Sequence, residues 1–499
     1  MLIWLRLSRQ FANPFDIDRA LDLAEQWTDE EEVCANALMA ILLSEAPASD
    51  RTVATQQRFE ATLDKFNEDF PRSQFLEPKQ FDSDNPMDLL DQLVDRLPDY
   101  SEQESQINEG LLPVGMAAAI HNRSYAEIIL SGGAGVIYGG NSSTLETELE
   151  DINQSDAVVL DTTAMFSLVL LDDDISRILL GTFSSAMTTI EQYRDALAAA
   201  DPTTFRSELS VYKDPETGRA RLRKTAADEL ETRKHRAKSL LELFNRTQRI
   251  SNPNLLRAPR DNRLLPWLSA LDLAERRRVV FWCDDRAMRN LASHSGVNAM
   301  STLAVLETAR KSGSLDPELV DVAEGVLIHN RYVGVAFNPR IYTLAAELSS
   351  WRPHGTAAAI LKHGFADADA LMSFVLTAIQ HVLAAPEDVR DWVSVGAQWL
   401  VSVTGEPSKA TEALVRWLWQ LSGQRWMTPD LLVFAIDGVR SAMNKLEGVS
   451  DPLPQAMILL YGDLAERTNE RLATQFLTGL ISRTSSEDKG IVLKNILMS

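Results

Sequence analysis

Only two cysteines, Cys34 and Cys283, occur in 499 residues, which rules out a disulfide framework and fits a reducing compartment. No stretch approaches the ~20 uninterrupted apolar residues of a membrane span. The opening Met1-Leu2-Ile3-Trp4-Leu5-Arg6 has a short apolar patch but no long apolar region or small-residue cleavage site. It reads as unprocessed, and the cytoplasm is the expected location. The seven histidines show no close ligand spacing such as H-E-x-x-H, which speaks against a zinc-protease type of site. Asp172-Asp173-Asp174 lacks the glycine and distal glutamate of a calcium loop, so it reads as the polar end of a helix. Positive charge is also in short supply. With 49 Lys+Arg against 71 Asp+Glu the net charge is −22, which argues against the whole surface being a nucleic-acid platform.

What is present is unevenly spread. Between Arg206 and Arg289 there are 20 Lys+Arg against 12 Asp+Glu, a basic middle between acidic flanks. A solvated helix face gives the same count, so the asymmetry alone assigns nothing. Apolar content of 45% and charged content of 24% are ordinary for globular protein, and the length calls for two to four domains.

The pattern divides the chain into three. Residues 1–110 read as helical, with Leu21, Leu23, Ala24 and Trp27 at helical spacing, and polar segments around Pro71 and Asp82–Pro86 as punctuation. Residues 111–350 read as α/β, with a core at 155–350. Strand 157–161 leads to helix 164–180, strand 183–187 to helix 190–199, strand 278–283 to helix 286–295, and 297–300 to helix 302–312. Gly296 serves as a helix stop and Ser301 or Thr302 as an N-cap. Such alternation predicts a parallel sheet with right-handed crossovers. A basic excursion at about 201–265 interrupts it, with a turn at Lys213–Gly218 and a helix over 225–244. Residues 351–499 read as all-helical. Starts at Pro386, Pro407, Pro429 and Pro452 recur at roughly 22-residue spacing, and Trp392, Trp399, Trp417 and Trp419 read as packing residues. The fold class is thus mainly α overall, with a central α/β domain. The glycines of Gly132–Gly140 lack the Lys-Ser/Thr of a phosphate loop and miss the dinucleotide fingerprint, so they read as turns around a short strand.

Two β-branched runs, Ala157-Val158-Val159-Leu160 and Val279-Val280-Phe281-Trp282, end on carboxylates about 120 residues apart: Asp161, and Asp284-Asp285. Short apolar runs of this kind are buried strands of a parallel sheet, whose carboxyl ends carry ligand sites. Two acids at adjacent strand ends suit a hard divalent cation with oxygen ligands. Each acid alone is equally an ordinary helix N-cap; only the pair suggests a metal. Cys283, expected to be buried in its strand, is an improbable nucleophile.

The order and spacing of these pieces resemble the PIN-type domain, the fold of many metal-dependent ribonucleases. The resemblance rests on Val158–Ala164, on Cys283–Met288 with Arg289-Asn290-Leu291-Ala292, on Gly296–Leu303, and on a terminal helix near Asn338-Pro339-Arg340-Ile341-Tyr342. It implies Mg²⁺ or Mn²⁺ held by Asp161 and by Asp285 or Asp284, with Glu191 as the middle acid. Thr163 and Thr302 would hold a carboxylate or a water through their hydroxyls. The family's further acid near the last strand–helix junction is missing, since Met300-Ser301-Thr302 has no carboxylate there. The implied activity is metal-dependent endoribonuclease cleavage of RNA, with DNA as a further possible substrate. Arg219, Arg221, Arg223, Lys224, Arg233, Lys234 and Arg236 are candidate phosphate contacts, and the helical flanks are candidate protein-binding or gating regions. The competing expectation is a catalytically silent PIN-like scaffold or protein-interaction module, since fold similarity alone does not carry activity.

Overall fold

The computed structural model describes residues 17–42, 52–71, 73, 100–121, 123–131, 137–138, 142–200, 209–213, 220–251, 266–361, 368–404, 406–443 and 448–498. The opening Met1–Arg6, the Asp82–Pro86 segment, the tip of the 213–218 turn, Arg219 and most of the Gly132–Gly140 run lie outside the described residues.

The chain divides into two compact units, Met1–Asp99 with Ala198–His235, and Tyr100–Leu197 with Arg236–Ser499. In the first, helices α1 (Ile17–Gln26), α2 (Glu31–Leu42) and α3 (Val53–Asp69) pack around Leu21, Leu38, Ile41 and Phe66. Trp27, expected on the packed face, stands 43% exposed just past the end of α1, where the helical spacing no longer applies. Strands β4 (Leu209–Lys213) and β5 (Ala220–Lys224) form an antiparallel hairpin, with Ser210 opposite Arg223 and Tyr212 opposite Arg221.

The second unit begins with three short helices, α4 (Ser101–Asn108), α5 (Val114–Ile120) and α6 (Tyr125–Ser131). The α/β elements follow in chain order: β1 (Ile137–Tyr138), α7 (Ser142–Asn153), β2 (Ala157–Leu160), α8 (Thr162–Leu170), α9 (Asp173–Leu180), β3 (Ser185–Thr189) and α10 (Ile190–Ala199). Helix α11 (Ala227–Phe244), whose first half falls in the other unit, returns the chain. Next come β6 (Gln248–Ile250), α12 (Pro266–Arg277), β7 (Val280–Trp282), α13 (Arg286–His294), β8 (Ala299–Met300), α14 (Thr302–Ser312), α15 (Pro317–His329), β9 (Tyr332–Val333) and α16 (Pro339–Leu348). Five strands form one parallel sheet in the order β6-β3-β2-β7-β8, while β1 and β9 pair separately. The two acid-bearing strands are therefore central and adjacent. Val158, Val159, Leu160, Phe281 and Trp282 are fully buried, as a strand covered on both faces requires.

Three details differ from the sequence expectation. The helix expected over 164–180 is two helices, because the Asp172 carboxylate accepts the Asp174 N–H and starts a new helix as its N-cap. The third strand runs 185–189 rather than 183–187. Phe183 sits in the preceding turn, where its N–H bonds to the Leu180 carbonyl and its ring meets Trp282 at 6.1 Å. Strand β6, Gln-Arg-Ile, was not expected. It is a partly exposed edge strand with no apolar run to announce it, joined to β3 at Thr188–Thr247 by a 2.7 Å hydroxyl contact.

The remainder is helical: α17 (Thr356–Leu361), α18 (Ala368–His381), α19 (Pro386–Thr404), α20 (Pro407–Ser422), α21 (Pro429–Met443), α22 (Leu453–Arg467), α23 (Glu470–Leu480) and α24 (Ser486–Met498). Phe374 meets Tyr342, Trp351 and Trp392 at ring distances near 6 Å, and the Trp392 indole donates to the Trp351 carbonyl at 2.7 Å. Trp392, Trp399 and Trp417 are buried; Trp419 is half-buried. No helix among the described residues is long and apolar enough to cross a membrane.

Two predictions follow from this packing. At Gly438 on α21 a Cβ would fall inside the van der Waals envelope of the Arg390 carbonyl on α19. Gly438→Ala should therefore destabilise the full chain by about 1–3 kcal/mol, read from the shift in urea midpoint. Glu324, buried on α15 beside Arg310 at 2.8 Å, has its carboxyl pushed up to about 7 by burial, with the Arg310 charge pulling the other way. A raised acid binds a proton more readily folded than unfolded, so its effect on stability grows unfavourable as pH climbs from about 4.5 to 7. Glu324→Gln should gain stability relative to the parent between pH 5 and pH 8, by at most about 3 kcal/mol. Urea midpoints that move in parallel at the two pH values would contradict this.

Candidate active site at the sheet's carboxyl edge

The register pairs Leu160 with Trp282, and the Asp161 N–H continues the ladder to the Trp282 carbonyl at 2.8 Å. Asp161 thus leaves β2 level with the point where Cys283-Asp284-Asp285 leaves β7. Thr163 ties the two ends together. Its hydroxyl donates to Asp161 Oδ2 at 2.6 Å and accepts the Asp284 N–H at 3.1 Å.

Asp161 and Asp285 are both helix N-caps, of α8 and α13. They are also buried, at 0% and 2% exposure. Asp161 Oδ2 accepts from the Thr163 N–H at 2.9 Å, from its hydroxyl, and from the Tyr125 hydroxyl at 3.0 Å, while Asp161 Oδ1 is buried without a hydrogen-bond partner. Asp285 Oδ1 accepts the N–H groups of Ala287 and Met288, and Oδ2 accepts that of Val114 at 2.7 Å. Burial pushes Asp161 up despite its hydrogen bonds. Burial likewise pushes Asp285 up to about 6, with the nearby Asp161 charge adding to it and the N–H donors opposing. Asp285 thus feels the Asp161 charge. Burial and then the Asp161 and Asp285 charges drive the Tyr125 phenol upward and keep it a donor, and the same causes keep the Cys283 thiol protonated. Cys283 Sγ lies 3.7 Å from Asp161 Oδ2, inside the acidic pair.

Asp284 turns the other way. Its Oδ1 accepts from the Thr302 N–H at 2.7 Å and the Tyr332 hydroxyl at 2.6 Å, and its Oδ2 from the Thr302 hydroxyl at 2.6 Å. Both oxygens are therefore committed to the start of α14 and to β9. Glu148, arriving from α7, does the same for Ser301, accepting its N–H at 2.9 Å and its hydroxyl at 2.6 Å. Arg289 lies 3.7 Å from the other Glu148 oxygen and donates to the Cys283 carbonyl at 2.8 Å. Burial works against the Arg289 charge, but Glu148 foremost among its neighbours holds it on. Two carboxylates, one from just past β7 and one from α7, thus hydrogen-bond to the Ser301-Thr302 junction.

Glu191 is half-buried in the first turn of α10, and the residue that reaches the β2 end is its neighbour. Gln192, fully buried, donates to the Leu160 carbonyl at 3.1 Å and to the Thr162 hydroxyl at 3.3 Å. A neutral amide, next in the chain to Glu191, thus stands beside the Asp161 strand end. Among the basic candidates, Arg233 pairs with Glu229, and Lys234 lies 3.8 Å from Glu231. Arg236 donates to Asn330 at 2.6 Å and lies over the Phe166 ring, so its charge is used inside the fold. Arg221 is exposed; Arg223 and Lys224 belong to β5. Tyr125, Val114, Tyr332, Glu148, Arg289 and Gln192 were absent from the sequence candidates. All but Arg289 come from outside the two strand-end motifs, and nothing in their local sequence marks the contact.

Among the described residues no group of three or more His, Cys, Asp or Glu side chains is placed to hold a metal ion. The donor set offers one free carboxylate oxygen, Asp161 Oδ1. A second, Asp285 Oδ2, already accepts the Val114 N–H at 2.7 Å. With it, the pair suits a hard cation that keeps several waters.

The five-stranded parallel sheet with carboxylates beyond its central strands is consistent with a PIN-like domain, and by its match to a family model the chain carries one, set among helical regions. Residues 159–294, well under half of the chain, match the model of a family described as the PIN domain associated with the TPR-GreAB-C-PIN system. No curated protein and no solved structure matches the chain.

Removing the Glu148 carboxylate would take from the buried Arg289 a neighbouring negative charge and from Ser301 its acceptor. Glu148→Ala should cost about 3–5 kcal/mol of unfolding free energy, and Glu148→Gln distinctly less. Equal urea midpoints for Glu148→Ala and the parent would show the pair to be dispensable.

Proposed function

We propose that the domain is a metal-dependent endoribonuclease in which Asp161 and Asp285 hold Mg²⁺ or Mn²⁺ against the phosphodiester. One observation supports this most: Asp161 Oδ1, an oxygen of a fully buried carboxylate, has no partner. Leaving such an acceptor unsatisfied costs about 1–3 kcal/mol, more when charged, and a cation is what relieves it. A bound divalent ion supplies charge stabilisation to the phosphoryl oxygens and an activated water. The protein's own part is to aim that ion. Thr163 fixes the Asp161 rotamer, Asp285 is fixed by its own helix cap, and Asp284 sets the start of α14 through Thr302. Glu191, in the first turn of α10, is the candidate third acid. RNA phosphates would be met by Arg219, Arg221, Arg223, Lys224, Arg233 and Lys234 around the hairpin and the start of α11, with Arg236 left to its place in the fold. The cytoplasm suits such a substrate.

A second reading, a catalytically silent PIN-like module that binds protein partners, is favoured by a specific observation. Asp284 and Asp285 have all their oxygens committed to protein donors, and among the described residues no group of three His, Cys, Asp or Glu side chains is placed to hold a metal ion. The family description, with its TPR association, agrees with partner binding through helical regions.

The test is cleavage of structured and unstructured RNA by the full chain with Mn²⁺ or Mg²⁺, beside Asp161→Asn. The nuclease reading expects at least a 100-fold loss of rate in the variant, a few kcal/mol of transition-state stabilisation. Equal rates from the two proteins would identify a contaminant. Absence of cleavage and of metal binding would favour the silent module.

A further inference from the structure

Helix α5 precedes the sheet in the chain, yet it ends up over the sheet's functional edge. Its first N–H, that of Val114, donates to Asp285 Oδ2, and Tyr125, opening α6, donates to Asp161 Oδ2. An amide and a phenol thus occupy carboxylate lone pairs that a cation would use. The two helices are held differently. Helix α6 is anchored by Asp195 on α10, whose oxygens accept the Ala126 N–H at 2.7 Å and the Tyr125 N–H at 3.3 Å, and it buries Tyr125, Ile128, Ile129 and Leu130. Helix α5 is one short stretch, VGMAAAI, burying Val114, Gly115 and two alanines. Small side chains bury little apolar area, so lifting α5 costs little compared with lifting α6. Its seat is specific. Gly115 lies against the Trp267 ring on α12 so closely that any Cβ there would overlap the ring.

The fit is also incomplete. Asp161 Oδ1 is left buried without a hydrogen-bond partner. The acids are covered without being neutralised, the condition expected of a cover that holds a site shut until something better displaces it.

We propose that α5 is an autoinhibitory cover. Seated on Trp267, it blocks the Asp161–Asp285 pair through the Val114 N–H, and a divalent cation gains the site only when α5 lifts while α6 stays. This rests on the metal-site reading given above. On this proposal, opening withdraws one N–H from Asp285 Oδ2 and lets solvent reach Asp161 Oδ1 and the buried Cys283, whose Sγ lies 3.7 Å from Asp161 Oδ2.

Two substitutions in the full chain open the cover in different ways. Gly115→Leu makes the seat on Trp267 impossible. Val114→Pro removes only the donor: proline is favoured in the first turn of a helix, and Pro113 before it is already extended at ψ 139°. Three measurements are made on both and on the parent: Mn²⁺ affinity by calorimetry, the rate of thiol-reagent labelling at Cys283 located by mass spectrometry, and RNA cleavage. The proposal expects Cys283 to label at least ten-fold faster and Mn²⁺ to bind at least ten-fold tighter in either variant. Labelling within two-fold of the parent in a cooperatively folded variant overturns it, as does faster labelling with unchanged Mn²⁺ affinity. If Gly115→Leu fails to fold, Val114→Pro decides. Should both fail, amide exchange in the parent decides, and α5 must open at least ten-fold more often than α6. Tighter Mn²⁺ binding without RNA cleavage upholds the cover and sinks the nuclease reading. A parent that cuts RNA as fast as the opened variants does the reverse.

Discussion

Two acids cannot sit side by side in a protein interior unless something pays for their charge, and the centre of this domain is organised around that constraint. Asp161 and Asp285 emerge from adjacent parallel strands, both nearly inaccessible to water. Backbone N–H groups at two helix starts, a threonine hydroxyl and a tyrosine hydroxyl absorb most of the cost. What remains shows as carboxyls pushed upward, Asp285 to about 6, and as one oxygen without a partner. The same residues serve fold and site: each acid starts the helix that follows its strand.

A second acid group beside the first has the opposite character. Asp284 and Glu148 are also buried, but every oxygen meets donors from Ser301, Thr302, Tyr332 or Thr144, with Arg289 close by. This group locks the start of α14 to the sheet edge and to α7. Proximity of carboxylates alone therefore separates nothing. The distinction between a structural acid and a candidate ligand lies in whether protein donors complete its coordination. By that measure Asp284 supports the domain and Asp161 is the acid still open to a ligand.

Much of the α/β core was legible in the chain because its signals are local. Val-Val-Leu before Asp161 and Val-Val-Phe-Trp before Cys283 have the composition of strands covered on both faces, and Gly296, with φ of 73°, ends its helix where a left-handed residue is needed. Where signals were weak or competed, the reading slipped. Asp172 restarted a helix that apolar periodicity ran straight through, and the polar edge strand at Gln248–Ile250 carried no apolar run at all. On α10 the residue that turns inward to the end of β2 is Gln192, one step and about 100° round the helix from Glu191.

The sequence by itself determined that two strands would end in carboxylates and that helices would follow each, since strand composition and N-cap chemistry are properties of a few consecutive residues. It also determined the helical character of the flanks, through proline-marked starts and buried tryptophans. Only the tertiary structure decided which acid faces which. The partners that matter, Val114, Tyr125, Glu148 and Tyr332, come from segments remote in the chain whose local sequence bears no mark of the contact. Whether a carboxylate is capped, paired or left open depends on donors brought from elsewhere by the packing of the whole domain.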